Sequence, residues 1–493
     1  MRQGVEHSFE YDEGANPGEP HHDPAPAPPV TIDPHRPTWL LVLALAWPVF
    51  TQQMLNVSVN QFDRWLAGHF KPDDVAYQAA QTTAHYLVWF VYSLSALVTV
   101  GGTALVARFV GAGDGPAANR VTHQALLLAA VCGLTCSALG LLVVGDVVRL
   151  LDLNGAAGDE AVRYLQPVLL LLAFQMIEQA GIACLIGAGD TKTGLWVLGG
   201  VAVLNMPLAW LFRTGAGPVP AFGFPGIALG TAVSHLMGCV AVLVVLVRGR
   251  AGLRLQLGRL RPDADLIRRV LRISVPAAID VAFICICQLW FLKLVNRLGD
   301  VAAAAHGIAI GWEALGYLSG QAFATAATAL VGQNLGAGRP EAAARSGWVA
   351  LGIGAAAMVV MGAVFFALAP AMFGLFCPAP KQQPVIEAGV PVLRLVAFAM
   401  PPLACIIILT GALRGAGDTR LPLLLTLIGF LVVRLPVAYL LMYPVVKLGS
   451  LGMVDGLGLG LFGAWLAMFA DLTVRGVCFL LRFASGRWKT VKV

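Results

Sequence analysis

The sequence has few charged residues. Asp, Glu, Lys and Arg make up 12% of the 493 residues, whereas hydrophobic residues make up 58%. Soluble domains contain roughly 25% charged residues, and no soluble core requires this much apolar sequence. These proportions exclude a soluble globular protein, and we expect most of the chain to lie in a lipid bilayer.

The signatures of enzymes and metal sites are also lacking. The sequence shows no nucleophile paired with a base, no metal-ligand cluster and no phosphate-binding loop. Its nine cysteines are scattered through apolar segments, which is typical of small core residues and not of a disulfide framework or a zinc site. We therefore expect a protein that is not an enzyme and has no catalytic residues, bound metal or organic cofactor.

What the sequence does contain is an internal repeat. The segment TALVARFVGAGDGPAA at 103–118 returns as TALVGQNLGAGRPEAA at 328–343. A second segment, which begins GAGDT at Gly187, returns at Gly415. The chain therefore contains two copies of one unit. Such duplication is typical of membrane transporters, in which two similar halves move around a shared central site.

Apolar runs of about 20 residues predict twelve membrane helices, six in each copy. They lie near 38–67, 78–109, 119–145, 160–187, 192–213, 224–247, 272–298, 301–335, 342–370, 384–414, 420–443 and 457–483. Because six is even, both copies enter the membrane from the same side. The expected fold class is an all-α integral membrane protein, with twelve transmembrane helices in two parallel-repeat six-helix lobes around a central cavity.

The same reading divides the chain into five parts. They are a disordered cytoplasmic tail (1–37), an N lobe (38–248), a basic cytoplasmic linker (249–271), a C lobe (272–484) and a short cytoplasmic tail (485–493). The first tail has no cleavable signal peptide and cannot bury enough apolar surface to fold.

Orientation follows from the basic residues. With both termini in the cytoplasm, 21 of the 33 Lys and Arg fall on the inner side of the membrane. The arginines of the linker favour contact with anionic lipid headgroups, and we expect no nucleic-acid partner. The Ala-, Gly- and Arg-rich composition indicates a bacterial protein, and hence a multi-pass protein of the inner membrane.

Glycine-rich GAG segments mark the ends of long helices. A glycine there can adopt left-handed dihedrals and stop the helix. Asp114, Asp190 and Asp418 follow three of these segments and are expected to cap the next helix.

The repeated segments resemble the multidrug and toxic compound extrusion (MATE) family. The resemblance rests on ALVGQNLGAGRPEAA, AAAAHGIAI (302–310), GALRGAGDTR, IGAGDTKTG and QFDRWLAG (61–68), and it covers about 38–484. It implies two six-helix lobes that face a central cavity. It also implies antiport, in which a cation moves inward while an organic solute, often cationic and lipophilic, moves outward.

Four polar residues of the first span share one helix face. Gln52, Asn56, Asn60 and Asp63 follow helical spacing, and such a stripe is expected to face water or other helices instead of lipid. By the resemblance, Asp63 matches the first-helix aspartate that the family uses as a proton or sodium site. An aspartate that meets headgroup water at the membrane boundary is the alternative.

The resemblance implies that Asn205 is a partner of Asp63 and that a second family carboxylate is absent from this chain. Asn205 matches a fifth-helix asparagine of this site, but the aspartate that relatives carry four residues later is Ala209 here. Glu178, near Gln175 in the fourth span, could supply the lost charge for cation coupling. The alternative for Glu178 is an interhelical hydrogen bond.

The second half offers a further set of polar residues. Asp280 corresponds to Gln52 by the repeat, and Gln288 shares its face. The family's seventh-helix glutamate position is Ile284 here. We expect Asp280 to contribute to cation coupling and Gln288 to line the solute cavity.

The eighth span carries a second stripe of candidate cavity residues. Glu313, Tyr317 and Gln321 lie at helical spacing beside Trp312. A carboxylate with aromatic rings suits an organic cation, whereas packing between helices is the alternative for the two aromatic residues.

Three ionisable residues of the last two spans are expected to pair with one another or nearby groups. Asp471 and Arg475, at i and i+4, should neutralise each other, and Arg434 should pair with a carboxylate.

The resulting hypothesis is a monomeric, cation-coupled antiporter that exports organic solutes by alternating access. Its partners are a small organic solute and membrane lipid, and a proton is favoured over sodium because Asp63 is present. The alternative is a flippase for lipid-linked saccharides, which should have a more cationic cavity. A channel is disfavoured because no ring of like charges appears.

Overall fold

The computed structural model describes residues 36–68, 84, 87–91, 93–150, 155–256, 258, 261–377, 380–447 and 453–491. All structural statements below refer to these residues. The predicted disordered tail lies outside them, except for its last two residues, and so does most of the first part of the second predicted span.

The N lobe consists of seven described helices. They are α1 (Thr38–Gly68), α2 (Ala96–Gly111), α3 (Gly115–Leu150), α4 (Ala156–Leu170), α5 (Leu172–Gly187), α6 (Thr191–Thr214) and α7 (Phe224–Arg248). Helices α4 and α5 are bent by 51° relative to each other and together form the predicted fourth span.

The C lobe repeats this arrangement. Its helices are α8 (Ala264–Asn296), α9 (Asp300–Gly336), α10 (Pro340–Gly374), α11 (Gln383–Gly415), α12 (Arg420–Ile428), α13 (Leu435–Met442) and α14 (Gly460–Ala484). A π-helical segment, Gly429–Arg434, joins α12 to α13 in the eleventh span. Strands β1 (Val445–Lys447) and β2 (Met453–Asp455) form an antiparallel hairpin before α14.

The described helices follow the predicted spans in order. Nine are long and apolar enough to cross a membrane, and the bent α4–α5 pair makes ten. Helix α9 is 37 residues long but is less apolar than these helices, in agreement with the polar stripe that it carries. Large side chains such as Leu142 and Trp196 are 78% and 79% exposed. Such exposure on the outside of a helical bundle fits contact with lipid.

Two boundaries differ from the predicted division. Helix α8 begins at Ala264, inside the predicted linker, because the Asp263 side chain accepts hydrogen bonds from the first backbone N–H groups. The predicted C-terminal tail is ordered as a 3-10 helix, Arg487–Thr490. Trp488 within it is fully buried and stacks on Phe483 at 4.7 Å.

The GAG segments end helices as predicted. Gly113 and Gly189 have φ of 75° and 92°, a left-handed conformation that glycine adopts without strain. Asp114 caps α3 by accepting from the Ala117 N–H at 2.9 Å. The capping prediction is wrong for Asp418, which forms an ion pair with Arg482 at 2.7 Å instead.

Asp190 caps α6 and has an ionic partner in the linker. Its carboxylate accepts from the Thr193 N–H at 2.9 Å and hydroxyl at 2.7 Å, and from Arg250 at 2.6 Å. Burial of Asp190 would by itself raise the pKa of its carboxyl, but these hydrogen bonds and the Arg250 charge together lower that pKa below the usual 3.8. The cap is therefore ionised at neutral pH.

Both lobes use the same contact within the repeat. The Thr103 hydroxyl donates to the Ala183 carbonyl at 3.0 Å, and the Thr328 hydroxyl donates to the Gly411 carbonyl at 2.8 Å. The helices approach so closely there that a Cβ on Gly415 would lie 2.3 Å from the Thr328 carbonyl oxygen. The repeated TALV and GAGDT sequences thus form one packing unit twice.

The lobes meet at one end of the molecule. We call this the linker side, because the described linker residues 249–256 and 261–271 lie there, and the opposite end the hairpin side. A Cβ on Gly111 would lie 2.0 Å from the Gln333 carbonyl oxygen, and one on Gly336 would lie 2.0 Å from that of Arg108. The Gln333 amide also donates to the Gly187 carbonyl at 2.8 Å. Backbone-to-backbone packing of this kind closes the linker side.

The first half of α1 and the C-terminal segment extend this closure. Ala46 and Val49 of α1 pack against Ala322 and Ala326 of α9 in one apolar cluster. The Arg108 guanidinium of the N lobe donates to the carbonyl of Val491 at 3.3 Å. These contacts hold the two lobes together on the linker side.

Candidate functional site

Asp63, Asn205 and Thr231 meet in the N lobe, from helices α1, α6 and α7. The Thr231 hydroxyl lies 3.3 Å from Asp63 Oδ2 and donates to it, and it accepts from the Asn205 amide at 2.8 Å. The predicted pairing of Asp63 with Asn205 is therefore present but indirect, through a threonine. Asp63 is on the hairpin side of the closed contact between the lobes.

These three side chains leave two oxygens available. Asp63 is 7% and Asn205 1% exposed, and within the described residues Asp63 Oδ1 and Asn205 Oδ1 have no hydrogen-bond partner. Buried polar atoms are normally satisfied, so two such oxygens beside a carboxylate favour a site for a proton or a small cation.

Helices α6 and α7 approach each other closely at Ala209, the position where the resemblance implied a second carboxylate. Ala209 is fully buried, and a Cβ on Gly230 would lie 2.4 Å from its backbone nitrogen. The two helices touch at this point, and the second carboxylate of the N lobe is placed elsewhere.

That second carboxylate is Glu178, which pairs with a histidine. Glu178 on α5 is fully buried, and its Oε2 lies 2.7 Å from Nδ1 of His235 on α7. The other oxygen, Oε1, has no partner among the described atoms and lies where a Cβ on Gly238 would be only 2.2 Å away. His235 is one helical turn beyond Thr231, so both acidic groups of the N lobe are held by α7.

The remaining N-lobe candidates surround this region. Asn56 and Asn60 are exposed, and Gln52 is half-buried with its amide near Gly194 of α6. Gln175 is buried on α5. Their proposed role as lining of the solute cavity stays a prediction.

In the C lobe, Asp280 is paired with an arginine that sequence reasoning did not identify. Asp280 is 3% exposed and accepts from Arg414 of α11 at 2.9 Å. An arginine stays protonated at any relevant pH. Asp280 is thus paired with a permanent positive charge, and its predicted role in cation coupling stays a prediction.

A second buried ionic group joins the last two spans. Asp471 accepts from Arg475 at 2.6 and 2.7 Å and from Arg434 at 2.8 and 2.9 Å. Both expected pairings are confirmed, but on a single carboxylate. Arg434 also donates to Gln288 at 3.3 Å and lies 4.2 Å from the centre of the Phe430 ring.

The π-helical segment positions this group. Asn205 and Arg434 each precede a proline by two residues in the two copies of the repeat, and the C-lobe copy has one more residue between its GAG segment and that proline. A π-turn accommodates one extra residue in a helix. Gly429 leaves space for the ionic group, since its Cβ would lie 2.3 Å from Asp471 Oδ1.

The stripe on α9 is only partly exposed. Tyr317 is 43% exposed and its hydroxyl accepts from the Gln321 amide at 2.6 Å, whereas Glu313 is half-buried and within electrostatic range of Arg434. Trp312 packs edge-on against Phe376 at 5.8 Å, in the apolar core of the C lobe. The structure thus brings Tyr317 and Gln321 together and places Trp312 in a packing contact.

Three residues of these groups escaped the sequence reasoning: Thr231, His235 and Arg414. Each is a polar residue inside a predicted span, which is a signal that was present. The spacing along one helix, however, does not show which residue of another helix it meets.

Comparison with known proteins identifies the family. The MatE family model matches residues 48–211 and 276–440, which are most of both lobes. The chain belongs to the MatE family. Members are multi-pass membrane transporters, and the predicted resemblance is confirmed. The match falls on both copies of the repeat and contains Asp63, Asn205 and Asp280.

Relatives and solved structures extend over nearly the whole chain. "Probable multidrug resistance protein NorM" of Thermotoga maritima is 28% identical over 451 residues, which are 91% of this chain and 92% of that protein. A NorM-named protein of Rhodopseudomonas palustris is 27% identical and covers 90% of each.

Among solved structures, a MOP superfamily transporter from Pyrococcus furiosus superposes with a TM-score of 0.82 at 20% identity, over 91% of this chain and 95% of that one. An outward-facing multidrug resistance MATE transporter gives 0.81 at 20% identity, over 91% and 97%. The predicted twelve-helix, two-lobe fold is confirmed by these likenesses.

Proposed function

We propose that the protein exports organic, lipophilic and cationic solutes in exchange for protons that enter at Asp63. The observation that carries this proposal is the buried Asp63–Thr231–Asn205 group, which has a carboxylate oxygen open to a proton and no Lys or Arg partner among the described side chains. Two relatives named as multidrug resistance proteins support the direction and the breadth of transport.

The packing of the lobes supports a mechanism of alternating access. They are closed on the linker side through Gly111 and Gly336, while Asp63, Asn60 and Tyr317 lie toward the hairpin side. The excess of Lys and Arg on the linker side supports a cytoplasmic linker. In that orientation the structure is closed to the cytoplasm, and the site would load its proton from outside.

Exclusion between proton and solute provides the coupling. An ionised Asp63 attracts an organic cation, and protonation of Asp63 removes that attraction, so the two do not bind together. One charge that moves down 100 mV supplies about 2.3 kcal/mol, which is roughly forty-fold in concentration ratio. One proton per solute therefore suffices for useful efflux if the exchange moves net charge. We expect the active unit to be a monomer in the bacterial inner membrane.

The arrangement of basic residues favours this function over that of a flippase for lipid-linked saccharides. Arg414 is paired with Asp280, and Arg434 and Arg475 share Asp471. These three arginines of the C-lobe helices are thus engaged with carboxylates and are not free to form a cationic cavity for pyrophosphate.

The test is proton release from everted membrane vesicles when ethidium is added in sodium-free buffer. Wild-type protein should release protons, and Asp63→Asn should not, while its expression and dye binding are retained. Release that appears only after sodium is added would move the coupling to sodium. Full release by Asp63→Asn would refute the role of Asp63. Vesicles that lack release in both buffers, together with lipid-linked product retained in a knockout strain, would favour the flippase.

A further inference from the structure

The N lobe contains a buried acid–base pair that the proposed transport cycle does not yet use. Glu178 is fully buried, its Oε2 lies 2.7 Å from His235 Nδ1, and the two residues lie on different helices, α5 and α7. Buried carboxylates in soluble cores or membranes are usually neutralised by Lys or Arg, whereas this one is held by an imidazole, which is charged only when it is protonated.

The position of the pair relates it to Asp63. Thr231, which holds Asp63, and His235 are four residues apart on α7, about 6 Å along the helix axis. Because α7 runs from the hairpin side to the linker side, His235 lies deeper in the membrane than Asp63. A proton that enters at Asp63 therefore meets this pair next.

Few other ionisable groups face the pair. The thiol of Cys239, on α7, lies within electrostatic range of Glu178, and Asp63 on α1 is one turn away through Thr231. The remaining charged side chains described on the N-lobe helices lie nearer to helix ends: Arg108, Arg120, His123, Asp146, Arg149, Asp159, Glu160, Arg163, Lys192, Arg213 and Arg248. No fixed cation in the described part of the lobe thus neutralises Glu178.

We propose that Glu178 and His235 form a second proton-binding site, so that the transporter exchanges two protons for each solute cation. This proposal rests on the proposed function. In the protonated state the imidazolium carries a proton on each ring nitrogen, Nδ1–H donates to Oε2, and the pair has no net charge. When the other ring proton leaves to water, the neutral imidazole still donates from Nδ1 to the Glu178 carboxylate, and the pair has a charge of −1. A solute cation in the cavity stabilises the second state and expels the proton.

The kind of partner supports an exchange site over a purely structural bond. Glu178 Oε1 is buried and unsatisfied among the described residues, and Gly238 leaves the space that it occupies. Asp280 Oδ1 is also unsatisfied, but that carboxylate faces the permanent charge of Arg414. Glu178 combines a free acceptor with a partner whose charge depends on its own proton.

The experiment counts protons released when purified protein binds tetraphenylphosphonium, a permanent cation, in weakly buffered detergent solution between pH 5.5 and 8. Wild type should release more than one proton per bound cation, approaching two at the optimum pH. His235→Gln and Glu178→Gln should each lose about one proton, and the double variant should lose no more than either single one, because both share that proton. Asp63→Asn should also lose one proton per bound cation, and this loss should add to that of His235→Gln. Glu178→Asp should release as many protons as wild type.

Two matched controls separate the site from general damage. His123→Gln changes a buried histidine on the linker side, where it accepts from the Gln256 N–H at 3.0 Å, and should leave the count unchanged. Gly238→Ala should displace Glu178 and lower the count, whereas Gly200→Ala, with nothing within 4 Å of the added Cβ, should not. Cation affinity and melting temperature verify that each variant is folded.

The outcomes distinguish this site from the proposed function. Cation binding without any proton release by wild type would overturn proton coupling, and the second site with it. Release by wild type that His235→Gln and Glu178→Gln leave unchanged would overturn the second site alone. If one of these two variants does not fold, the proton count of the other tests the second site, because each variant removes the same proton.

Discussion

The two lobes arise from one repeated unit, but the buried carboxylates within their membrane helices have different partners. In the N lobe, Asp63 is held by a threonine hydroxyl and Glu178 by a histidine. In the C lobe, Asp280 and Asp471 are both held by arginines. A threonine hydroxyl brings no charge to a carboxylate and an imidazole brings one only when it is protonated, whereas a guanidinium is always charged. The proposed proton exchange therefore belongs to the N lobe, and the permanent ion pairs belong to the C lobe.

This difference is most sharply tested in the C lobe. Asp471→Asn leaves Arg434 and Arg475 buried without a counter-charge, and we expect a loss of about 3–5 kcal/mol of stability. The melting temperature and the yield of monodisperse protein in detergent measure this loss. Asp146→Asn is a suitable control, because its contact with Arg149 is exposed. An Asp471→Asn protein as stable as wild type would show that the arginines do not need this carboxylate.

The matching N-lobe change should leave stability almost intact and remove function. Asp63→Asn keeps the hydrogen bond with Thr231 but cannot exchange a proton. We expect coupled transport to fall by about a hundredfold, equivalent to about 2.7 kcal/mol, with a melting temperature close to that of wild type. Dye-driven proton exchange in proteoliposomes measures the rate. A large loss of stability in this variant would remove the contrast between the lobes.

The strength of the Asp280–Arg414 ion pair in the C lobe can be measured with a double-mutant cycle. Asp280→Asn and Arg414→Gln should each destabilise the protein, and the double variant should recover part of the loss. We expect a coupling energy of about 2 kcal/mol from the double-mutant cycle. Additive effects, together with altered proton release in Asp280→Asn, would instead place Asp280 among the exchanging groups.

The smallest effect concerns a carboxylate outside the membrane, Asp190. Its pKa is lowered in the folded state, so the unfolded chain binds more protons as the pH falls below about 3.8. The stabilisation is complete above that pH and is lost as the pH falls through the lower pKa of the folded state. Because Asn also caps a helix, Asp190→Asn should cost about 0.5–1 kcal/mol at pH 7, through the lost attraction to Arg250 and to the helix start, and nothing at the acidic end of a melting series. A cost that is independent of pH would show that the hydrogen bonds, and not the charge, stabilise the helix start.

Much of the fold could be predicted from one sequence, because lipid imposes long apolar helices and the repeat reveals two halves. The Asp471–Arg475 pair was also predictable, since both residues are on one helix at i and i+4. The Glu178–His235 and Asp280–Arg414 pairs were not, because their members lie on helices far apart in the sequence. Periodicity shows which residues share a face of a helix, but not which neighbour that face meets.

The π-helical segment at Gly429–Arg434 was not predicted from the sequence, for a different reason. The extra residue in the second copy is visible only when the distances from each GAG segment to the following proline are compared. Its effect is to bring Arg434 beside Asp471, whereas the corresponding Asn205 lies beside Thr231.

The segment from Trp488 to Val491 is a suitable place to attach an optical probe of the transport cycle. Trp488 is anchored on Phe483 within the C lobe, while the adjacent Val491 carbonyl contacts Arg108 of the N lobe. When the lobes part on the linker side, that second contact must break while the indole stays in place. A fluorophore attached near residue 491, with a quencher on the first turn of α3, should therefore be quenched when the linker side is closed and fluoresce when it is open. Single-molecule recordings of this signal would follow each turnover.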